Sequence, residues 1–263
     1  LHNYIRKFVM KDWAVILGAS SGIGAECALR LAKKGINIYG VYLRKKNHHI
    51  DKLKNQLLEY NVEVIYKKAN ASNEELRKKI INELKNLGNI RVKFFIHSIA
   101  FGTLKKMIDT NDALNQKNIE MTLDVMCNNF IYWSQDLFNN NLFKRGSHIL
   151  SMTSAGGRKN WQNYGAVSMA KAGIESATRQ LSVELAEYGV AVNALQAGVT
   201  DTEALRKIPG SDKMIENAKS INPHKRLTQT SDIGDFIEVL AQYESSWMTG
   251  NIIRLDGGED ITG

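Results

Sequence analysis

The chain has 263 residues, 43% apolar and 24% charged, and its 35 basic and 27 acidic side chains leave a formal charge of +8. No apolar run approaches the roughly 20 residues that span a bilayer, and the N-terminus lacks an export signal, so membrane insertion is excluded and a cytoplasmic protein is expected. The basic residues are scattered (Lys33, Lys34, Lys52, Lys54, Lys78, Lys79), which reads as solvated surface and not as a nucleic-acid face.

In chain order, short β-forming runs alternate with helical periodicity. Strands are predicted at Trp13–Leu17, Ile36–Leu43, Val62–Tyr66, Val92–His97, His148–Met152, Val190–Leu195 and Ile252–Leu255. Helices are predicted at Gly22–Lys34, Asp51–Tyr60, Asn73–Leu87, Asn118–Asn139, Asn163–Tyr188 and Ser231–Tyr243, the third opened by a capping box from Ser72 to Glu75. There is no repeat or linker, so residues 1–263 read as a single α/β domain: a doubly wound Rossmann fold with seven parallel strands and helices on both faces. The interval 198–223 breaks the rhythm with two amphipathic stretches (Ala204–Ile208, Met214–Ala218) and is expected to be a lid. Two cysteines, Cys27 and Cys127, sit inside apolar helical patterns as packed thiols of a reducing compartment. Six scattered histidines offer no ligand spacing, so no metal is expected.

The first strand runs into Gly18-Ala19-Ser20-Ser21-Gly22-Ile23-Gly24 and then directly into a helix. Glycines there let the backbone turn tightly and approach a pyrophosphate at the helix N-terminus. The second strand ends in Arg44-Lys45-Lys46, with no carboxylate before Asp51. An acidic residue would hold a ribose 2′-OH, whereas a guanidinium matches a 2′-phosphate, so NADPH is the expected cofactor. Asn70 and Ala71 close the third strand beside the expected adenine position.

The spacing of these glycines resembles the short-chain dehydrogenase/reductase family, and so does the rest of the chain. His97-Ser98-Ile99-Ala100 stands where that family has Asn-Asn-Ala-Gly. Val192-Asn193, Ala197-Gly198 and Thr202 resemble its Asn…Pro-Gly…Thr stretch, and Thr249-Gly250 with Asp256-Gly257-Gly258 its C-terminal motif. By resemblance, Ser98, Ile99 and Ala100 border the cofactor, and Gly198, Val199, Thr200 and Thr202 hold the nicotinamide carboxamide. The C-terminal motif implies a homotetramer.

The family's usual Tyr-x3-Lys is absent, because Val167 stands four residues before Lys171. Tyr164 lies seven residues before Lys171, almost two helical turns, so the two share a face. Tyr-x6-Lys and His97-Ser98-Ile99-Ala100-Phe101 resemble the enoyl-(acyl carrier protein) reductases. Residues 163–173, the region 202–226 and Val41–Lys45 look like the NADPH-dependent Bacillus-type enoyl reductase III. Ser154 occupies the family's serine position, 17 residues before Lys171, and Met126 replaces its relay asparagine. The resemblance implies reduction of the 2,3 double bond of an enoyl thioester on acyl carrier protein or coenzyme A. A carbonyl reductase of 3-oxoacyl thioesters and a non-catalytic NADPH-binding sensor remain alternatives.

Overall fold

Residues 10–262 are described in a computed structural model. The strands are β1 (Lys11–Leu17), β2 (Asn37–Tyr42), β3 (Val64–Lys68), β4 (Ile90–His97), β5 (His148–Thr153), β6 (Ala191–Ala197) and β7 (Ile252–Leu255). They form one parallel sheet in the order β3-β2-β1-β4-β5-β6-β7. The helices are α1 (Gly22–Lys33), α2 (Asn47–Leu58), α3 (Glu74–Lys85), α4 (Gln116–Leu123), α5 (Asn129–Asn139), α6 (Gly165–Glu184), α7 (Ser211–Ile221) and α8 (Thr230–Leu240).

Alternating side chains of each strand feed two cores, as the pleat requires. Trp13, Val15 and Leu17 join Phe95, Phe130, Trp133, Ile149 and Ile174 on one face. Ala14 and Ile16 join Phe94, Ile96, Leu150, Leu31 and Ile237 on the other. Both faces are covered, which is why the central strands read as unbroken apolar runs. Each fully buried large aliphatic or aromatic side chain contributes about 1.5–3 kcal/mol. Arg30 of α1 ties α1 to α8 through Asp235 and Glu238, at 2.6 and 3.1 Å. The strand order reverses between β1 and β4, and that reversal opens a crevice at their carboxyl ends.

Several expected boundaries move. The third helix is capped by Asn73, whose side chain accepts from Leu76 N–H at 2.8 Å, and not by the Ser72–Glu75 box. The helix begins at Glu74, one residue too late for that box, and the Ser72 hydroxyl is left buried without a partner among the described residues. The second helix starts at Asn47, before the expected Asp51. The expected helix 118–139 starts earlier, under an Asn115–Asn118 capping box, and is interrupted by a π-helical turn at Asp124–Asn128. There Asn129 N–H reaches back five residues to the Asp124 carbonyl. In the proposed lid, the first amphipathic stretch is a single 3-10 turn, Leu205–Lys207, and the second is α7.

Candidate active site

The glycine turn after β1 is fixed by close backbone approach. Gly18 has φ +81°, donates to the Val41 carbonyl at 2.9 Å, and lies so near the Ser98 carbonyl that a Cβ would overlap it. A Cβ on Gly24 would likewise overlap the Gly18 carbonyl oxygen. The first turn of α1 contains no acidic residue, and Ser21, its N-cap, makes no side-chain capping bond. The leading N–H groups of α1, with Ser20, Ser21, Gly22 and Ile23 around them, are thus available to an anion.

Other strand ends border the same crevice. The guanidinium of Arg44 stacks on the Phe101 ring, 3.8 Å from its centroid, and Lys45 pairs with Glu203 of the proposed lid. Asn70 is exposed, its side chain accepting from Ser72 N–H at 3.2 Å, and the Ala71 carbonyl accepts from the Trp133 indole at 2.9 Å. Ser98 and Ile99 are half-buried and Ala100 is exposed beyond β4. Thr202 reaches the turn too, since a Cβ on Gly22 would stand 3.7 Å from its methyl. The Val199 amide is committed elsewhere: its N–H donates to Glu259 at 3.1–3.2 Å and its carbonyl accepts from Thr228 N–H at 3.1 Å. A carboxamide contact through Val199 itself would therefore compete with bonds already made.

Tyr164 and Ser154 meet across Gly156. A Cβ on Gly156 would stand 2.5 Å from the Tyr164 ring and 3.3 Å from Ser154 Oγ. The Ser154 hydroxyl is buried and has no hydrogen-bond partner among the described residues. Tyr164 is the N-cap residue of α6, just ahead of the helix proper, where sequence periodicity had placed it inside. Its carbonyl still accepts from Ser168 N–H at 2.7 Å, and its own N–H donates to the Trp161 carbonyl at 3.2 Å. Burial pushes the phenol up from its ordinary pKa, and the neighbouring Ser154 hydroxyl pulls it down.

Lys171 is buried in α6 and donates to the Met152 carbonyl at 2.6 Å. Burial lowers its pKa to about 8, against the pull of Glu175 and Cys127. Glu175, one turn further along, accepts from the Thr153 hydroxyl at 2.6 Å. The i,i+4 spacing of Lys171 and Glu175 could have revealed this partner. His97, buried at the end of β4, is held neutral, its pKa lowered to about 3 by burial and then by the Lys171 charge. Val167 and Met126 are buried with Cys127 and Ala170 in an apolar cluster against which Tyr164 packs. Sequence reasoning missed Asn129, wholly buried, with neither side-chain polar atom partnered among the described residues.

The open α1 terminus and the Cβ-intolerant glycines fit a dinucleotide. Gly18–Gly24 would hold its pyrophosphate, and Lys171 with the segment after β6 its nicotinamide half.

Among curated proteins, the enoyl-(acyl carrier protein) reductase (NADH) of a Nostoc species is 25% identical over 236 residues, 90% of each chain. Its namesake from Buchnera aphidicola is 27% identical over 221 residues, 82% of this chain and 84% of that one. Among solved structures, an enoyl-(acyl carrier protein) reductase (NADH) from Aquifex aeolicus superposes with a TM-score of 0.82 at 23% identity, covering 97% of this chain and 98% of that one. A 3-oxoacyl-(acyl carrier protein) reductase from Brucella melitensis, solved with NAD, gives 0.83 at 21% identity, covering 97% and 99%. Those structural likenesses establish the shared fold. The family model for enoyl-(acyl carrier protein) reductase matches residues 18–259, from the first glycine of the dinucleotide turn to Glu259, and the chain belongs to that family of oxidoreductases.

Proposed function

We propose that the protein reduces the 2,3 double bond of a 2-enoyl thioester, carried by acyl carrier protein or coenzyme A, with NADPH as reductant. The observation that carries this reading is the meeting of Tyr164 and Ser154 across Gly156, with buried Val167 at the alternative position one turn along α6. A bound dinucleotide supplies hydride to the β-carbon of the substrate. The electron pair then moves to the thioester oxygen, making an enolate. The Tyr164 phenol, with Ser154 beside it, donates a hydrogen bond to that oxygen, where charge develops most in the transition state. Protonation at the α-carbon completes the reduction. Ketone reduction needs a proton on the oxygen bonded to the hydride-accepting carbon. Enoyl reduction needs a donor three bonds away, and a phenol displaced by three residues, about 4.5 Å along the helix axis, suits that separation.

Lys171 would hold the nicotinamide ribose, its ammonium positioned by the Met152 carbonyl. Gly18, Ser20, Ser21, Gly22, Ile23 and Gly24 would cradle the pyrophosphate, Asn70 and Ala71 would border the adenine, and Ser98, Ile99 and Ala100 would flank the ribose. Gly198, Thr200 and Thr202 would border the carboxamide side, with the Val199 amide tied to Glu259 and Thr228. Arg44 and Lys45 support NADPH over NADH, although the curated relatives carry NADH in their names. The segment 198–223 acts as the substrate lid, and the working assembly is a cytoplasmic homotetramer. Among the described residues, no helix is long and apolar enough to cross a membrane.

The deciding experiment follows NADPH and NADH oxidation by the purified protein with a 2-enoyl thioester and, separately, a 3-oxoacyl thioester. Turnover of the enoyl substrate is expected. Efficient reduction of the 3-oxoacyl substrate alone would overturn the reading.

A further inference from the structure

Buried carboxylates of the C-terminal turn, Asp256–Asp260, reach three segments that border the site. Glu259, 8% exposed, accepts the Val199 N–H with both oxygens. The bend at Gly198 is packed so closely that a Cβ there would stand 3.0 Å from Glu259 Oε2 and 3.1 Å from Asp256 Cα. Asp260, its side chain 2% exposed, pairs with Arg158 and with Lys159 at 2.9 Å. It also accepts from Gln196 of β6 at 3.0 Å and faces Arg254 Nε at 3.4 Å. Burial raises this carboxyl, but the bonds from Gln196, Lys159 and Arg158 outweigh it and hold its pKa at about 2. Finally, the Asp256 carbonyl accepts from Asn222 Nδ2 at 2.9 Å, just past the end of α7.

These contacts fall at particular places. Gly198–Val199 and Asn222 stand at the two ends of the interval 198–223, before and after α7. Arg158 and Lys159 lie between Ser154 and Tyr164 in the β5–α6 connection. A charge-assisted N–H bond to a carboxylate is roughly twice as strong as a neutral one. A carboxylate buried among cations leaves those cations mutually repelling when it is removed. The turn therefore resists displacement of each segment by more than packing alone.

We propose that Glu259 and Asp260 are positioning residues of the reductase site. Glu259 fixes the Gly198–Thr200 bend against which the cofactor's nicotinamide half is placed, and Asp260 fixes the connection that sets Tyr164 against Ser154. This rests on reading those segments as the site. The two arms separate in their effects, because one supports cofactor and the other the proton donor.

The test uses the full chain and four variants, Glu259→Ala, Glu259→Gln, Asp260→Asn and Arg158→Gln, the last breaking the Asp260 contact from its solvent side if Asp260→Asn does not fold. Cofactor Kd is read by direct titration, and kcat with whichever thioester the wild type reduces, so failure of the enoyl reading leaves the outcome legible. A misplacement of about 1 Å costs up to 10²-fold, so Asp260→Asn and Arg158→Gln are expected to lower kcat at least about tenfold while changing cofactor Kd less than about twofold. Glu259→Ala is expected to raise cofactor Kd by a larger factor than it lowers kcat, and Glu259→Gln, which keeps an acceptor for Val199 N–H, to recover most of that loss. Cofactor affinity and kcat falling in one proportion across the variants, in step with melting temperature, would overturn the proposal. So would wild-type values throughout.

Discussion

Tyr164 carries a phenol whose burial favours the protonated form, which suits a hydrogen-bond donor to a developing enolate. Tyr164→Phe should lower turnover by about 10²–10³ while leaving NADPH affinity nearly intact, because the lost bond is strongest in the transition state. Steady-state kinetics beside a cofactor titration checks it. Lys171 gives a pH signature. Burial brings its pKa to about 8, so the ammonium persists below that pH and is lost above it. Turnover and NADPH affinity should therefore fall as pH rises through about 8; a limb near 10 would mean a solvated lysine. The same depression means that the unfolded chain holds more protons than the folded one above about pH 8, so this group's contribution makes folding more favourable as pH climbs towards 10.5. Arg44→Ala should weaken NADPH roughly ten- to hundred-fold with little effect on NADH, the loss of a charge-assisted phosphate bond of about 1.5–3 kcal/mol. Equal affinities for the two cofactors in the wild type would refute that preference. Tyr164, Lys171 and the glycines were legible in the sequence because their spacing is local. Glu259, Asp260 and Asn129 were not, because their surroundings come from segments far away in the chain.

Short β-forming apolar runs and period-3.6 patterns located the strands and most helices, since both faces of the sheet are buried and demand continuous apolar runs. Element ends were less legible. Asn73 and Ser72 are comparable caps, and only the position of the helix start decides between them. The π turn at Asp124–Asn128 inserts a single extra residue per turn, too small a slip for a hydrophobic pattern to register. In the 198–223 interval, Leu205, Ile215 and Ala218 are buried, so part of the apolar face of the expected lid already packs against protein. Lys45 holds Glu203, and Arg206 bridges Asp201 and Asp212. Exposed pairs of this kind contribute only about 0–1 kcal/mol each. Amides between 200 and 221 should thus exchange faster than those of β4, and become protected when cofactor and thioester bind. Hydrogen exchange measures this directly; full protection without ligand would make the segment a fixed surface helix.

Across the whole molecule, the +8 charge suits an acidic carrier, but several basic side chains of the 202–226 region are already engaged within the chain. Arg226 is engaged by Asp232 at 2.7 and 2.9 Å, Arg206 by two aspartates, and Lys225 by the Ser220 carbonyl at 2.9 Å. Among the described residues, Lys207 and Lys219 make no ion pair. Rim charges act mainly on association rate, so kcat/KM for the carrier-borne substrate should fall with salt more steeply than for the coenzyme A thioester. Parallel salt profiles would show that the carrier is not steered by charge. The placement of Trp161, whose carbonyl holds the Tyr164 amide, has an optical consequence. Trp13 and Trp133 are sealed in the sheet core and Trp247 stands 92% exposed, so of the four indoles only Trp161 is half-buried, three residues from Tyr164. The chain carries its own fluorophore at the site: core indoles emit on the blue side, Trp247 on the red, and a change confined to Trp161 reports occupancy without any label.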